Sequence, residues 1–550
     1  MDKAKSTRII VVLALVFLIV CPLLSIFVEA FSSSEGFSVK PFLDAVTEKE
    51  NASMIFSSLL LGILVVIVSS LIALPLAYIF SRTPFARYHF FDIIFMIPFM
   101  TPPYIASMGW ILFMQKRGLM QQLFPSLTFI SDYFFSLGGL VLVMSFHVFP
   151  FMMTMMKNAM LSVPSSLDDA GAVSGAGLRQ RLVKLFFPLL TGNYAIGALL
   201  VFVKTISEYG TPSTLGRRIG FEVFTTDIHR HATVAPIDFG TSASLASVLI
   251  GICLLIWFLQ NYITMKKSYS LVGGRGSSVR GMRMGRKGFF LAVLFISLVV
   301  LFSMVIPLFS VVASSLIKLR GYGLRAGNYT FQNYINVFTE DSQGLNALSV
   351  SIFLAITSAT LASILGTISV IVSRSTGKRL GKTIEGLSLV PEMLPSIVMV
   401  LGIMLFYNRI YKVIPLYGTI WIMVLSYVIL FLPYTVQYVT SSFSQISGSL
   451  FSAGRVLGGS PCYILLHITL PLIFRGVISG WMMTFIIAFR ELVTPSLIAP
   501  TNTLTVSTYI NRQFEQGSVG KGMAMAVICI LFSTISLLFL NRVILGKRKY

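Results

Sequence analysis

The chain has 550 residues, of which 55% are hydrophobic and only 11% are charged. A soluble fold covers its surface with about one charged residue in four, so this composition excludes a soluble enzyme, a disordered scaffold and a secreted disulfide module. Lys and Arg exceed Asp and Glu by 22. Because these charges fall between apolar runs, they indicate orientation in a bilayer and not a nucleic-acid partner. The four cysteines form no CxxC pair and predict neither disulfides nor a metal site.

Twelve apolar runs of spanning length recur along the chain. About 20 apolar residues suffice to cross the hydrocarbon core, and helices satisfy every amide within the segment. The predicted fold is therefore all-α, a polytopic transmembrane bundle of about twelve helices. The predicted spans are 9–28, 54–80, 90–113, 135–156, 187–205, 244–263, 288–316, 345–372, 386–407, 419–439, 474–490 and 522–541.

The distribution of basic residues predicts the orientation of these spans. If the amino terminus is cytoplasmic, the inside segments carry 26 of the 42 Lys and Arg, as the positive-inside tendency requires. The stretch 266–287 alone holds seven basic residues and no acidic one. Both termini are therefore predicted to be cytoplasmic.

The two halves of the chain contain an internal repeat. A motif that begins at Asp169 and includes Gly175 and Pro188 recurs 283 residues later. The pattern Glu-x2-Thr-Pro at 208–212 recurs at 491–495 with the same offset. Such a repeat predicts duplication of one unit. We predict a first unit at 1–265 (core about 54–263), a basic cytoplasmic linker at 266–287, and a second unit at 288–550 (core about 345–541), with parallel six-span halves in pseudo-two-fold arrangement around a pathway.

Each repeat carries one patterned polar loop, the first loop at 157–187 and the second loop at 446–472. Each is too polar to span and is predicted to form a short surface helix, a glycine turn and a re-entry at Pro188 or Pro471. Small residues beside the turn would let another protein approach the backbone closely. An ordinary basic connection explains neither the glycine spacing nor its repetition.

These loops resemble the "EAA" loops of ATP-binding-cassette importer permeases, with the pattern E-A-A-x3-G-x(~12)-P. The resemblance covers most of the chain and is greatest to fused ferric-iron permeases, with thiamine and aminoethylphosphonate permeases related. It implies two tandem MetI-like units whose loops each dock one cytoplasmic ATPase subunit. The motif's Glu is Asp169 in the first loop but Ser452 in the second, and Arg455 replaces a small residue. The residues carried over are Asp169, Ala170, Gly171, Gly175, Ala176, Pro188, Ser452, Ala453, Gly454, Gly458, Gly459 and Pro471.

The sequence has no GxxxxGK[ST] phosphate loop and no catalytic motif, so we expect a non-catalytic subunit driven by a separate chain. The resemblance implies two ATPase copies carrying ATP and Mg, a substrate-binding protein outside, and a bacterial inner-membrane location. It favours ferric iron as substrate, with aminoethylphosphonate, thiamine or another small ion as alternatives. The alternative class is an ion-coupled secondary transporter, which would need titratable residues at mid-membrane and no ATPase.

Acidic residues and prolines in or near the spans are candidates for the transport pathway. Glu208 and Glu491 each follow a re-entry proline by twenty residues, which places them near the outer end of a helix. They are either part of an outer gate or docking region, or charges at a helix end. The candidate pathway residues are Glu208, Thr211, Glu491, Thr494, Pro102, Pro103 and Glu392.

Overall fold

The computed structural model describes residues 2–33, 36–88, 90–266, 284–339 and 342–545. Helices dominate these ranges, and their one sheet is an antiparallel pair of two-residue strands, Ser32–Ser33 and Gly36–Phe37. This confirms the predicted all-α, polytopic fold class. Most of the predicted linker, at 267–283, and the basic tail at 546–550 lie outside the described residues.

Every predicted span has a helical counterpart, and we number these counterparts α1 to α12. Ten are single helices long and apolar enough to cross a membrane. The other two, α3 and α9, are each interrupted beside a proline of the predicted span, so the structure agrees with the prediction of about twelve helices. The ten continuous helices are α1 (Ser6–Ala30), α2 (Lys49–Arg82), α4 (Leu137–Ser162), α5 (Val183–Ile206), α6 (Phe239–Thr264), α7 (Arg286–Leu316), α8 (Gln343–Arg374), α10 (Ile420–Ser444), α11 (Pro461–Phe489) and α12 (Val519–Leu540).

The two broken spans are interrupted at prolines, which lack the N–H that a continuing helix needs. Helix α3 consists of Phe90–Met100 and Pro103–Met114. Helix α9 consists of Arg379–Met393 and Ser396–Arg409, bent by 108°. The second helix of each pair follows an extended proline, Pro102 (ψ 135°) or Pro395 (ψ 137°).

Short helices connect these spans. The α-helical ones are Lys40–Thr47, Leu119–Leu123, Thr128–Phe134, Ser165–Val173, Leu178–Arg181, Phe224–Thr233, Gln332–Phe338, Gly448–Val456, Val493–Ile498 and Val506–Glu515. Turns of 3-10 helix lie at Pro84–Arg87, Pro125–Leu127 and Arg320–Tyr322, and a π-helical turn lies at Pro212–Gly216.

In the part of the chain that the structure describes, four spanning helices contain a wider π-helical turn, and each such turn ends just before a proline. The prolines are Pro22, Pro188, Pro307 and Pro471, each the second residue of the regular segment that follows. A proline cannot donate the usual hydrogen bond to the preceding turn, and its ring crowds the carbonyl there. A π-helical turn is wider and accommodates the ring. The turns are Val16–Val20, Leu182–Phe186, Leu301–Val305 and Leu465–Thr469.

The chain divides into two compact units that exchange segments of sequence. Unit 1 consists of 1–46, 228–250 and 331–550, and unit 2 consists of 47–227 and 251–330. Helix α1 therefore belongs with the core of the second repeat, and α7 belongs with the core of the first. The predicted boundary at 266–287 concerns the sequence repeat and stays a prediction, because the compact units are assembled differently.

Two glycines allow the exchanged helices to approach closely. A Cβ atom on Gly402 would lie 2.7 Å from the Pro22 carbonyl oxygen within unit 1. A Cβ atom on Gly109 would lie 2.5 Å from the Pro307 carbonyl oxygen within unit 2. Because only glycine permits such backbone contact, the same packing device recurs in both units.

Aromatic side chains fill the space around these contacts. In unit 2 the buried Trp110 stacks on Phe134 and Phe302, with ring centroids 5.5 and 6.3 Å away. In unit 1 Phe17 of α1 meets Phe406 and Tyr407 edge to face. Such pairs add specific geometry to burial that would otherwise be non-directional.

Candidate functional site: two surface loops and two helix breaks

The first and second loops have the same backbone, offset by 283 residues. The first forms the helix Ser165–Val173 and the second forms Gly448–Val456. A short segment, Leu178–Arg181 or Pro461–Ile464, then leads into the π-turn of α5 or α11. Pro188 and Pro471, which end the sequence motif, lie at the start of the regular helix that follows. The duplicated sequence motif thus corresponds to a duplicated local structure.

The motif glycines end the two loop helices. Gly175 and Gly458 have φ of +78° and +80°, a left-handed conformation that favours glycine. The amide of Ala176 then donates to the Gly171 carbonyl (3.0 Å), and that of Gly459 donates to the Gly454 carbonyl (2.9 Å). This is the pattern of a Schellman cap, which satisfies carbonyls left over at a helix end. The spacing of the motif glycines is therefore the spacing of a C-cap.

A glycine in each loop helix also packs against the segment that follows. A Cβ atom on Gly171 would lie 3.3 Å from Arg181 Cδ, and one on Gly454 would lie 2.9 Å from Ile468 Cδ1. The neighbouring motif residues Asp169, Ala170, Ser452 and Ala453 are exposed. Each loop helix thus rests one face on its own repeat and presents the other face outward.

The exposed face of each loop ends in apolar residues that the sequence reading missed. Val173 is 89% exposed, and its counterpart Val456 and the adjacent Leu457 are both 86% exposed. Each loop therefore presents an apolar end to solvent. Their signal in the sequence is the repetition of valine at the same offset of 283.

The two loops are attached to their units in different ways. In unit 2 the buried Arg82 donates to the carbonyls of Met160 and Val163, at the end of α4, and lies 5.0 Å over the Phe186 ring of α5. It therefore joins the two ends of the first loop. The Ser-Arg pair at 81–82 recurs at 373–374, where the offset between the repeats differs by nine from 283. The counterpart Arg374 is 40% exposed and pairs with Glu385 at 3.9 Å.

The second loop is attached by an aromatic stack instead. Phe451 of the loop helix stacks on Phe443 of α10, with ring centroids 5.7 Å apart and planes at 12°. The positions that correspond in the first loop are Asp168 and Met160, so this stack exists in one repeat alone.

The candidate carboxylates Glu208 and Glu491 lie in two break segments, 207–216 and 490–498, that follow α5 and α11. Glu208 accepts hydrogen bonds from the Thr211 amide at 2.9 and 3.1 Å. Glu491 accepts from the amides of Val493 and Thr494, both at 2.8 Å. Each carboxylate therefore caps the helical turn that resumes after the break, satisfying amides that the break leaves free.

The backbone carbonyls of the same two residues are satisfied as well. The Thr225 hydroxyl donates to the Glu208 carbonyl at 2.8 Å, and the Ser507 hydroxyl donates to the Glu491 carbonyl. Both carboxyls lie past the ends of the spanning helices. Burial raises the pKa of each to about 7, against the hydrogen bonds from Thr211 and Thr494 that lower it. These contacts give both residues a structural role in stabilising an interrupted helix.

Each break segment packs against a broken span of its own unit. In unit 2 a Cβ atom on Gly210 would lie 3.0 Å from Tyr104, which follows Pro102 and Pro103. The Thr214 hydroxyl donates to Ser107 at 2.8 Å. In unit 1 the helix Val493–Ile498 packs on Ser396–Arg409. The structure thus brings Pro102, Pro103, Glu208 and Thr211 together in one unit, and places Glu491 and Thr494 at the equivalent position of the other.

Glu392 lies at the bend of α9 in a small polar cluster. Its carboxylate accepts a hydrogen bond from the amide of Gln437 in α10, and both side chains are exposed. The Tyr434 phenol lies within electrostatic range of Glu392, Arg490 and Tyr438. Among the described residues no group of three or more His, Cys, Asp or Glu is placed to hold a metal ion, so this cluster offers dispersed oxygen ligands and not a closed metal site.

Two repeats of apolar helices, each with an exposed loop and a break segment, define a duplicated membrane transport component. The family model for the "binding-protein-dependent transport system inner membrane component" matches residues 71–268 and 362–549, once in each half. The chain belongs to this family. It is a multi-pass, non-catalytic permease subunit of an ATP-binding-cassette importer, and the resemblance predicted from the loops is confirmed.

The chain is similar to several named permeases. It is 24% identical to the ferric transport system permease protein FbpB of Actinobacillus pleuropneumoniae, over 97% of this chain and 77% of that protein. It is 26% identical to a putative ferric transport system permease of Haemophilus influenzae, over 96% and 82%. A putative 2-aminoethylphosphonate permease of Salmonella typhi is 23% identical over 42% of this chain and 87% of its own length.

Proposed function

We propose that this permease carries ferric iron, which a substrate-binding protein delivers to its outer face. The observation that supports this most strongly is the coverage of its relatives. The named ferric permeases match across 96% or more of this chain and therefore include both repeats. The aminoethylphosphonate relative matches over 42% of the chain. A likeness that extends through both repeats supports the ferric assignment better than one confined to part of the chain.

The two loops are proposed to be the sites where ATPase subunits dock, one on each loop. The exposed Val173, Val456 and Leu457 would be covered by the ATPase, which would supply ATP and Mg. Burial of one such side chain contributes about 1.5–3 kcal/mol. Closing of two ATPase subunits would move both loop helices, and thereby α5 and α11, into which the loops lead.

If the two loops bind ATPase subunits, the orientation of the chain in the membrane follows. The loops and both termini would face the cytoplasm, in agreement with the distribution of Lys and Arg. The break segments lie at the opposite ends of α5 and α11 and would face the outer side, where the binding protein docks.

The polar cluster at Glu392 is proposed to line the pathway. An exposed carboxylate and an exposed amide are costly against lipid, so their presence between apolar helices indicates contact with a water-filled cavity. The cluster offers a carboxylate, an amide oxygen and the Tyr434 phenol, oxygen donors that suit a hard cation. It is one wall of a path and not a site of tight binding.

The proposal is tested by reconstitution. The chain would be co-expressed with a candidate ATPase, placed in nanodiscs, and supplied with binding proteins loaded with ferric iron, thiamine or 2-aminoethylphosphonate. We expect the ATPase to co-purify and ATP hydrolysis to be stimulated by the ferric-loaded protein. Stimulation by another loaded protein would replace the substrate assignment. Absence of ATPase binding, with uptake driven only by an ion gradient, would favour a secondary transporter.

A further inference from the structure

A polar cavity of about 250 Å³ lies within unit 1, at the end of α8 where that helix begins. Its wall combines one guanidinium, three side-chain amides and a hydroxyl. The described residues that line it include no Asp or Glu. They are Gln343, Asn346, Asn502, Thr503, Leu504 and Arg512.

The cavity lies at the opposite end of α11 from the second loop. Its residues 502–504 follow the second break segment, whereas the loop helix Gly448–Val456 precedes α11. If the loops are cytoplasmic, as the proposed function holds, the cavity opens on the outer face. It is therefore available to a molecule that arrives from outside and not to the ATPase.

The walls of the cavity are held in place by local structure. Thr505 forms a capping box with Thr508 at the start of the helix Val506–Glu515, which carries Arg512. The Val506 amide donates to the Ser351 hydroxyl of α8 at 2.8 Å and ties this helix to the opposite wall. Asn502 adopts φ of +62°, a conformation that asparagine tolerates better than most residues. The backbone that carries Asn502 and Arg512 is thus fixed by local structure, which lowers the entropy cost of ordering these side chains on a ligand.

The first repeat shows what is distinctive about this cavity. There the Phe224 amide donates to the Ser58 hydroxyl at 2.8 Å, as Val506 does to Ser351. Aligned on these bonds, Arg512 corresponds to Arg230, Gln343 to Glu50 and Leu504 to Glu222. The first repeat thus carries two carboxylates at positions where the second carries an amide and an apolar side chain. Among the described residues that line the cavity, the second repeat therefore keeps the arginine and has no carboxylate at these two positions.

We propose that this cavity receives an acidic side chain of the substrate-binding protein when that protein docks. A guanidinium surrounded by amide donors matches the planar, two-oxygen geometry of a carboxylate. The volume accommodates one or two side chains but not a folded segment. The loop that carries Asn502 continues directly from Val493–Ile498, so a carboxylate bound here contacts the chain immediately after the break that Glu491 caps. Docking would therefore act on the break segment through adjacent backbone. This inference rests on the proposed function.

The test measures docking of the Fe³⁺-loaded binding protein that stimulates the wild-type complex. The full chain with its ATPase would be placed in nanodiscs of phosphatidylcholine alone, so that no anionic headgroup competes. The dissociation constant would be compared for wild type, Arg512→Gln and Arg512→Glu. Arg325→Gln is the matched control, because Arg325 is an exposed arginine in the loop before α8, outside the cavity.

We expect Arg512→Gln to raise the dissociation constant about tenfold and to flatten its dependence on salt, and Arg512→Glu to raise it further. Arg325→Gln should leave it unchanged. Replacement of one acidic residue of the binding protein by lysine should restore docking to Arg512→Glu. Equal affinity of Arg512→Gln and wild type would overturn the inference, as would an effect that appears only when anionic lipid is added. If no loaded protein stimulates the wild type, it is the proposed function that fails.

Discussion

The first and second loops share one backbone but are attached to the protein by different forces. Each loop helix ends in the same glycine cap, with φ of +78° and +80°. The first loop is joined at both ends by the buried Arg82, whereas the second relies on the stack of Phe451 on Phe443. The shape of the loop therefore comes from its own motif, and its attachment comes from the surrounding helices.

This difference suggests that the two loops respond unequally to damage. A buried guanidinium that satisfies two carbonyls is costly to remove, because the carbonyls remain buried without a donor. An aromatic pair contributes about 0.5–1.5 kcal/mol beyond its buried area. We therefore expect a single substitution at Arg82 to detach the first loop from its helices. A single substitution in the aromatic pair should weaken the attachment of the second loop only in part.

The largest effect is expected for Arg82→Met. Loss of both hydrogen bonds should lower the free energy of unfolding by about 3 kcal/mol and abolish stimulated ATP hydrolysis. The counterpart Arg374→Met removes only an exposed pair, worth at most about 1 kcal/mol. Thermal unfolding in detergent and ATPase assays would measure both. Equal losses in the two variants would contradict the proposed asymmetry.

A smaller effect is expected when a charge is placed on the exposed apolar end of each loop. Val173→Asp and Val456→Asp should each weaken ATPase binding about tenfold without lowering thermal stability, because both positions are open to solvent. Val413→Asp is the control, since Val413 is 80% exposed but lies in the loop between α9 and α10. Pull-down of the ATPase at graded concentrations measures the change. Undiminished binding in both loop variants would argue against docking at these residues.

The glycine caps should behave alike in the two loops. Gly175→Ala and Gly458→Ala each cost about 1 kcal/mol from left-handed strain alone, since nothing lies within 4 Å of either added Cβ atom. Transport should fall about fivefold in each, and Asn at the same position should recover part of it. Gly177→Ala is the control, because its φ is not positive and its Cβ atom also meets nothing. Strongly unequal losses at 175 and 458 would show that the caps are not equivalent.

The smallest effect is expected for Ser452→Asp, which restores an acidic residue at the motif position where the second loop has lost it. Ser452 is exposed, so we expect ATPase affinity to change by less than about twofold. Asp169→Ser is the reciprocal variant and should be equally mild. A gain of tenfold or more in Ser452→Asp would mean that the acid, and not the apolar end, dominates docking.

The sequence was sufficient for features that depend on local chemistry or on repetition. Gly175 and Gly458 predicted the turns because a C-cap requires glycine at a fixed distance, and the helical runs predicted the fold because lipid permits little else. The breaks at α3 and α9 follow from prolines such as Pro102 and Pro395, which interrupt regular helical bonding. The bend of 108° within α9 could not be predicted, because an apolar run has the same sequence pattern in a straight and in a bent helix.

Features that depend on distant partners could not be predicted. Ser81-Arg82 and Ser373-Arg374 are identical in sequence, yet Arg82 is buried and Arg374 is exposed. The environment of each is set by the residues at the end of α4 and the start of α5, or by Glu385. In the same way, the sequence places Glu208 and Glu491 near helix ends, and only the structure shows that they cap the turns that follow. Their part in an outer gate stays a prediction.

The close contact between Pro22 and Gly402 has a consequence for how the protein is made. Helix α1 is synthesised before its partner Ser396–Arg409, and 380 residues separate Pro22 from Gly402. At about 5–20 residues per second, the ribosome needs about 20–80 seconds to translate the residues between these two helices. During that interval α1 has no completed core to join, and it is open to lipid or to chaperones at the insertion site. Unit 1 therefore cannot be completed before the second half is synthesised, and slowed synthesis of that half would prolong the time for which α1 lacks its partner.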